Sequence, residues 1–212
     1  MPFMGRPAMF EASFMHGDGT MANEAIKIDG AWRILRIAGW IFVGILLALP
    51  AIAMQFTSEV DWSASDFIVM GALLGSVGLA TEFLVRRSGN TAYRIGVVIA
   101  MATAFLTVWV NLAVGMIGDD NPYNLLFGAV VGIALVGPVI SNFKAAGMAR
   151  TMFAAAAAQA VVGGFGITSD FRGAVLSMMF AFPWMLSAGL FRRAAIDQGT
   201  STVSAGSGSV SG

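Results

Sequence analysis

The sequence predicts an all-α fold, a polytopic bundle of six transmembrane helices with both termini in the cytoplasm. Three observations predict it. Of 212 residues, 57% are hydrophobic and 11% charged, against roughly 25% charged in a soluble domain; the mean hydropathy is +0.78. So few polar residues cannot cover the surface of a soluble protein of this length. Six apolar segments, at residues 34–56, 66–85, 93–118, 123–142, 148–167 and 173–191, can each reach across a hydrocarbon core of ~30 Å. The basic residues alternate with these segments. With the N-terminus inside, Arg6, Lys27, Arg33, Arg36, Arg86, Arg87, Arg94, Lys144, Arg150, Arg192 and Arg193 fall on the cytoplasmic side and Arg172 on the other, the asymmetry that orients membrane proteins.

The expected organisation is a flexible N-terminal arm (1–31), a six-helix transmembrane domain (32–193) and a disordered Ser/Gly-rich tail (194–212). The arm has no sustained period, and either Met1 or Met21 can serve as its start. Arg33 and Arg36 lead into the first segment, and Pro50-Ala-Ile-Ala53 resembles a small-x-small cleavage site. Glu24 and Asp29 precede the basic pair, however, and the apolar run continues to Phe56. The segment therefore reads as an uncleaved anchor rather than a signal peptide.

In the second segment Gly71, Gly75, Gly78 and Glu82 recur at i, i+4, i+7 and i+11, one face of a helix. The glycines are expected to admit a neighbouring helix, with Gly71-x-x-x-Gly75 as the packing motif. Glu82 lies one turn before Arg86, so an i,i+4 ion pair is expected, with a proton- or cation-handling carboxylate as the alternative.

The third segment carries Thr103, Thr107, Asn111 and Gly115 at spacings of four. Lipid offers an amide no partner, so Asn111 must bond within the protein. Gln159 in the fifth segment, with Gly163 and Gly166 continuing its face, is the expected partner. Such a cross-helix bond is worth ~0.6–2 kcal/mol. Together with Glu82, these residues form a candidate intramembrane polar site (Thr103, Thr107, Asn111, Gln159, Glu82).

The fourth segment has Gly128 and Gly132 as a second packing face, and Pro138 near its end. The fifth is built on the alanine-rich core from Phe153 to Gln159 and is expected to insert because its neighbours are there. In the sixth, Pro183 beside Trp184 predicts a kink. Between the third and fourth segments, Asp119, Asp120, Asn121, Pro122 and Asn124 form an exit loop. A calcium loop needs six or more spaced oxygens, so this motif is read as a turn.

Composition excludes several functions. Twelve basic and twelve acidic residues cancel, so nucleic acid is not an expected partner. The absence of cysteine removes thiolate chemistry, and the single histidine, His16, lies in the arm. No metal or cofactor site is expected, and no hydrolase, metalloprotease or P-loop motif occurs.

The run Trp109-Val-Asn-Leu-Ala-Val-Gly-Met-Ile-Gly-Asp-Asp-Asn-Pro-Tyr-Asn124 resembles a stretch of an uncharacterised family of small bacterial integral membrane proteins. In that family, W-V-N-L-A-V-G-I-I-G is followed by an acidic pair, N-P and a further asparagine. Gln55-Phe-Thr-Ser-Glu-Val-Asp-Trp62 and Asp66-Phe67 resemble it too, so the similarity spans most of residues 34–150. The resemblance implies a multi-pass protein of the bacterial inner membrane and carries over no catalytic residues. The expected role is that of a non-catalytic structural or accessory membrane subunit, whose partners are the lipid bilayer and another membrane protein or a second copy. A transporter or channel using the polar face of the third segment is the alternative, and a lipid-acting enzyme comes third.

Overall fold

The computed structural model describes the backbone of residues 8–118 and 121–207, and the side chains of 30–118 and 121–201. Residues 1–7 and 208–212, the outer parts of the expected arm and tail, lie outside the described residues. So do Asp119 and Asp120 of the exit loop, and the side chains of 8–29, His16 included. The helices are α1 (Ala8–Ala53), α2 (Ala64–Val85), α3 (Thr91–Val114), α4 (Leu126–Ile140), α5 (Ala145–Phe165), α6 (Phe171–Met179) and α7 (Ala181–Ser207), with a 3-10 turn at Pro122–Leu125. Among the described residues there is no β-strand.

Six helical segments are long and apolar enough to cross a membrane: Gly30–Ala53, Ala64–Val85, Thr91–Val114, Pro122–Ile140, Ala145–Phe165 and Phe171–Ser201. Three features differ from the sequence expectation. The third helix stops at Val114 rather than 118, because Gly115 turns the chain at φ +66°. The sixth segment is two helices that break at Phe180. Pro183 favours this break, since its ring clashes with the carbonyl four residues back in a continuous helix, at Met179, where α6 ends. Helix also reaches beyond the expected domain boundaries, back to Ala8 in the arm and on to Ser207 in the tail. Extending an existing helix costs far less than starting one, and in α7 the Thr200 and Ser201 hydroxyls close onto the Ile196 and Asp197 carbonyls.

The chain forms two compact units that divide between Ile68 and Val69, inside α2. In the first, Ser63 and Asp66 cap α2 reciprocally. The Ser63 amide and hydroxyl both donate to Asp66 Oδ2, at 2.8 and 2.7 Å. Trp62 sets its ring edge-on to Phe67, with centroids 5.2 Å apart. No residue between Gly30 and Ala53 is buried.

In the second unit α5 is central, packing against α4, α6 and α7, while α3 packs on α7 and α4. The core is Tyr93 and Val97 of α3, Phe127 and Val130 of α4, Met148, Met152 and Ala155 of α5, and Trp184 and Phe191 of α7. Close approach falls where small residues allow it. Gly96 faces Phe191, Gly137 faces Thr151, and Gly163 faces Ser177 and Met178. The Ser187 hydroxyl reaches the Gly96 carbonyl at 2.8 Å.

Gly163 lies on the Gln159 face that periodicity marked, whereas Gly96 and Gly137 are not among the glycines expected to pack. A Cβ at Gly75, Gly128 or Gly132 has nothing within 4 Å; Gly71 and Gly78 are half-buried. A four-residue glycine spacing marks a face that can be approached, but the helices settle where partner side chains fill the gaps.

The α4–α5 turn is tight, with Asn142 and Phe143 both left-handed, at φ 50° and 58°. Phenylalanine is costly there, and its surroundings hold it. The Phe143 amide donates to the Pro138 carbonyl at 2.8 Å, and its own carbonyl accepts the Tyr93 hydroxyl at 3.0 Å. Its ring lies under the Arg87 guanidinium, 4.6 Å away, which also covers Phe83.

The two classes of glycine separate experimentally. Gly163→Ala places a methyl 2.9 Å from Met178 Cγ and should cost about 1–3 kcal/mol through overpacking. Gly132→Ala meets nothing and should be neutral or stabilise by up to ~1 kcal/mol through helix propensity. Thermal unfolding in detergent, followed by tryptophan fluorescence, reads both.

Candidate functional site

The two amides of the candidate polar site, Asn111 and Gln159, lead to one feature, the loop that follows α3. At Gly115 the chain leaves the helix but not the protein. Met116 and Ile117 turn inward and are 1% and 0% exposed. Ile117 lies on Gly166 at the end of α5, where a Cβ would come 2.5 Å from Ile117 Cγ2. Gly173 of α6 must also be small, because a Cβ there would be 2.7 Å from the Met116 carbonyl. A second left-handed glycine, Gly118 at φ +67°, carries the chain back outward.

A buried loop outside a helix exposes peptide groups that neither lipid nor a ladder can satisfy, each worth about 1–3 kcal/mol if left unpaired. Two asparagines meet this demand. Asn124 Oδ1 accepts the Ile117 amide at 2.9 Å, and its Nδ2 donates to the Gly118 carbonyl at 2.8 Å. Asn111 Oδ1 takes the Met116 amide at 3.4 Å, and its Nδ2 donates to the Asn124 carbonyl at 2.9 Å. The Gly115 amide stays on the Asn111 carbonyl at 3.2 Å. Each amide thus uses both ends, and the pair clamps the loop between the end of α3 and the start of the next span.

The clamp continues into α6 and α5. The Ser177 hydroxyl donates to the Met116 carbonyl at 3.1 Å, and Gln159 Nε2 donates to the Ser177 carbonyl, also at 3.1 Å. Asn111 and Gln159 are therefore not direct partners, as the sequence suggested, but opposite ends of a relay through Met116 and Ser177. Gln159 is fully buried and its Oε1 has no partner; Trp184 Nε1 is the other buried polar atom in this condition among the described residues.

The remaining members of the candidate polar site do not join it. The Thr103 and Thr107 hydroxyls close onto their own helix, at the Ile99 and Thr103 carbonyls, 2.7 and 2.8 Å away. Glu82 forms the i,i+4 ion pair with Arg86. In the exit loop, Asn121 Oδ1 caps the 3-10 turn by accepting the Tyr123 amide at 3.0 Å, and Pro122 occupies the first position of that turn. Asn121 Nδ2 also reaches Ser169 Oγ at 3.3 Å.

Sequence reasoning missed Ser177 and Gly173. Both bear on the Met116 carbonyl, about sixty residues away in the chain, and no local spacing announces a side chain that bonds a distant backbone. A signal was present for Asn124: two asparagines flank two glycines across a short loop.

No protein-family model matches this chain, and no curated protein or solved structure matches it either.

The clamp ranks the amides by their worth. Asn124→Ala leaves the Ile117 amide and Gly118 carbonyl unpaired and should lower stability by about 2–4 kcal/mol. Asn111→Leu should act in the same direction. Gln159→Leu should be within about 1 kcal/mol of neutral, since it also removes an unpaired acceptor, and the Ser177 carbonyl keeps the Phe180 amide at 3.2 Å. Unfolding temperatures in one detergent give the order.

Proposed function

We propose that the protein is a non-catalytic, multi-pass membrane subunit that works by assembling with another membrane protein. The observation that carries this reading is the uncovered Gly128-x-x-x-Gly132 face of α4: no atom of the same unit lies within 4 Å of a Cβ at either glycine. Small-residue faces of this spacing let two membrane helices approach closely. Leu135, Val136 and Val139 on the same helix are exposed and supply apolar contact beside it.

The polar groups support the same reading. A transporter needs side chains free to meet a solute, whereas Asn111, Asn124, Ser177 and Gln159 bond to the backbone of the bundle. Thr103 and Thr107 bond to their own helix, and Glu82 is held by Arg86.

The setting we propose is the bacterial inner membrane, with both termini in the cytoplasm. The basic excess of the α2–α3 and α4–α5 connections (Arg86, Arg87, Lys144) supports the orientation. The likeness of the 109–124 motif to small bacterial membrane proteins supports the address.

The chain has no cysteine, so single cysteines report orientation cleanly. In intact spheroplasts, Ser58→Cys should react with a membrane-impermeant maleimide, and Ser88→Cys should react only after lysis. Native mass spectrometry of protein extracted from its own membrane in mild detergent should show a stoichiometric complex with a second membrane protein. Gly132→Leu should abolish that complex without lowering the unfolding temperature of the isolated chain. A lone species that conducts ions or solute in proteoliposomes, with conduction lost in Glu82→Gln, would replace this reading with transport.

A further inference from the structure

An open groove of about 820 Å³ runs between α5 and α7, at the opposite end of α5 from the loop clamp. Its walls are apolar, with Ala149 and Phe153 from α5 and Met185 and Gly189 from α7. Two cations, Arg150 of α5 and Arg192 of α7, line the same groove. Both side chains are exposed, and among the described residues neither is paired with a carboxylate. Arg150 Nε makes one long contact, 3.3 Å, to the Ala146 carbonyl of its own helix. The acid nearest in sequence on α7, Asp197, accepts instead from Asn90 Nδ2 at 3.0 Å.

The depth of the two arginines is informative. Arg150 is the sixth residue of α5, about 8 Å along its axis at 1.5 Å per residue. The α6–α7 span begins at Phe171, and about twenty residues, or ~30 Å, bring it across the hydrocarbon core. Arg192 therefore falls at the far boundary. From these positions, within reach of one membrane boundary, long arginine side chains extend outward to the phosphate level, beside a groove lined with apolar side chains. Guanidinium pairs with phosphate bidentately, and basic pockets between membrane helices hold anionic head groups.

We propose that this groove binds one anionic phospholipid, with Arg150 and Arg192 on the phosphate and an acyl chain along Phe153, Met185 and Gly189. The inference rests on the membrane placement of α5 and α7, and not on the orientation or partner proposed above.

The test is native mass spectrometry of the delipidated full chain, titrated separately with phosphatidylglycerol and with phosphatidylcholine of the same acyl chains. A single phosphatidylglycerol adduct is expected, and the double variant Arg150→Gln/Arg192→Gln should weaken it roughly tenfold or more. Arg193→Gln makes the same kind of charge change on the neighbouring residue, which does not line the groove, and should leave the adduct within about twofold. Gly189→Leu keeps both arginines, and a Cβ at this position meets no atom within 4 Å, so the side chain should extend into the open groove, fill it and remove the adduct. Glycerol 3-phosphate, the head group without acyl chains, should fail to compete.

Equal adducts with the two lipids would overturn the proposal, as would equal losses in the Arg193→Gln and double variants. Retention of lipid by Gly189→Leu would exclude the groove as the acyl site. Full competition by glycerol 3-phosphate would make the ligand a soluble phosphate rather than a lipid.

Discussion

The second unit depends on a single constraint, that backbone inside a membrane must find its hydrogen bonds within the protein. Helices meet it automatically; the Gly115–Gly118 loop does not. By turning inward, this loop places Met116 and Ile117 against α5 and α6, and it is tolerable there because Asn111 and Asn124 replace the missing ladder. The two asparagines come from the residues before and after the loop. Forming it therefore fixes the angle at which the third span hands over to the fourth. Ser177 and Gln159 then tie that junction to α6 and α5. The polar residues of this bundle are joints between helices.

Much of the architecture was legible in the sequence because hydrocarbon imposes length and apolarity on every span. The six segments, the ion pair Glu82–Arg86 and the disturbance at Pro183 all follow from residue chemistry acting within a few turns of helix. What stayed hidden depends on where helices meet. Periodicity grouped Thr107 with Asn111, yet the hydroxyl turns to its own helix while the amide leaves it. It also picked out Gly128 and Gly132, which stand open, and passed over Gly137 and Gly173, which do not. Spacing tells which residues share a face and is silent on what that face meets. The partner of a buried amide is harder still to read, because here it is a peptide group, and every residue has one.

The two ends of the second unit are built differently. The end carrying the exit loop is fixed by neutral amides and hydroxyls. At the other end, the left-handed Asn142–Phe143 turn sits under Arg87, Tyr93 bonds the Phe143 carbonyl, and Asn90 joins α7 at Asp197. Basic charge is thus gathered at this end, where it lies over aromatic rings or in the open and need not be desolvated, while Asp119, Asp120 and Asp170 outnumber Arg172 at the end of the exit loop.

The alanine-built α5 has a consequence for biogenesis. It is the least apolar of the six spans, with mean hydropathy 1.2, and also the most buried, with 44% of its best window inside the protein. Alanine gains little by leaving water for lipid, but it gives neighbouring helices room to come near. The helix around which the others assemble is therefore the one least able to enter the bilayer unaided. Its insertion therefore leans on the more apolar spans beside it, and the central element of the finished bundle is the one whose place in the membrane depends most on its neighbours.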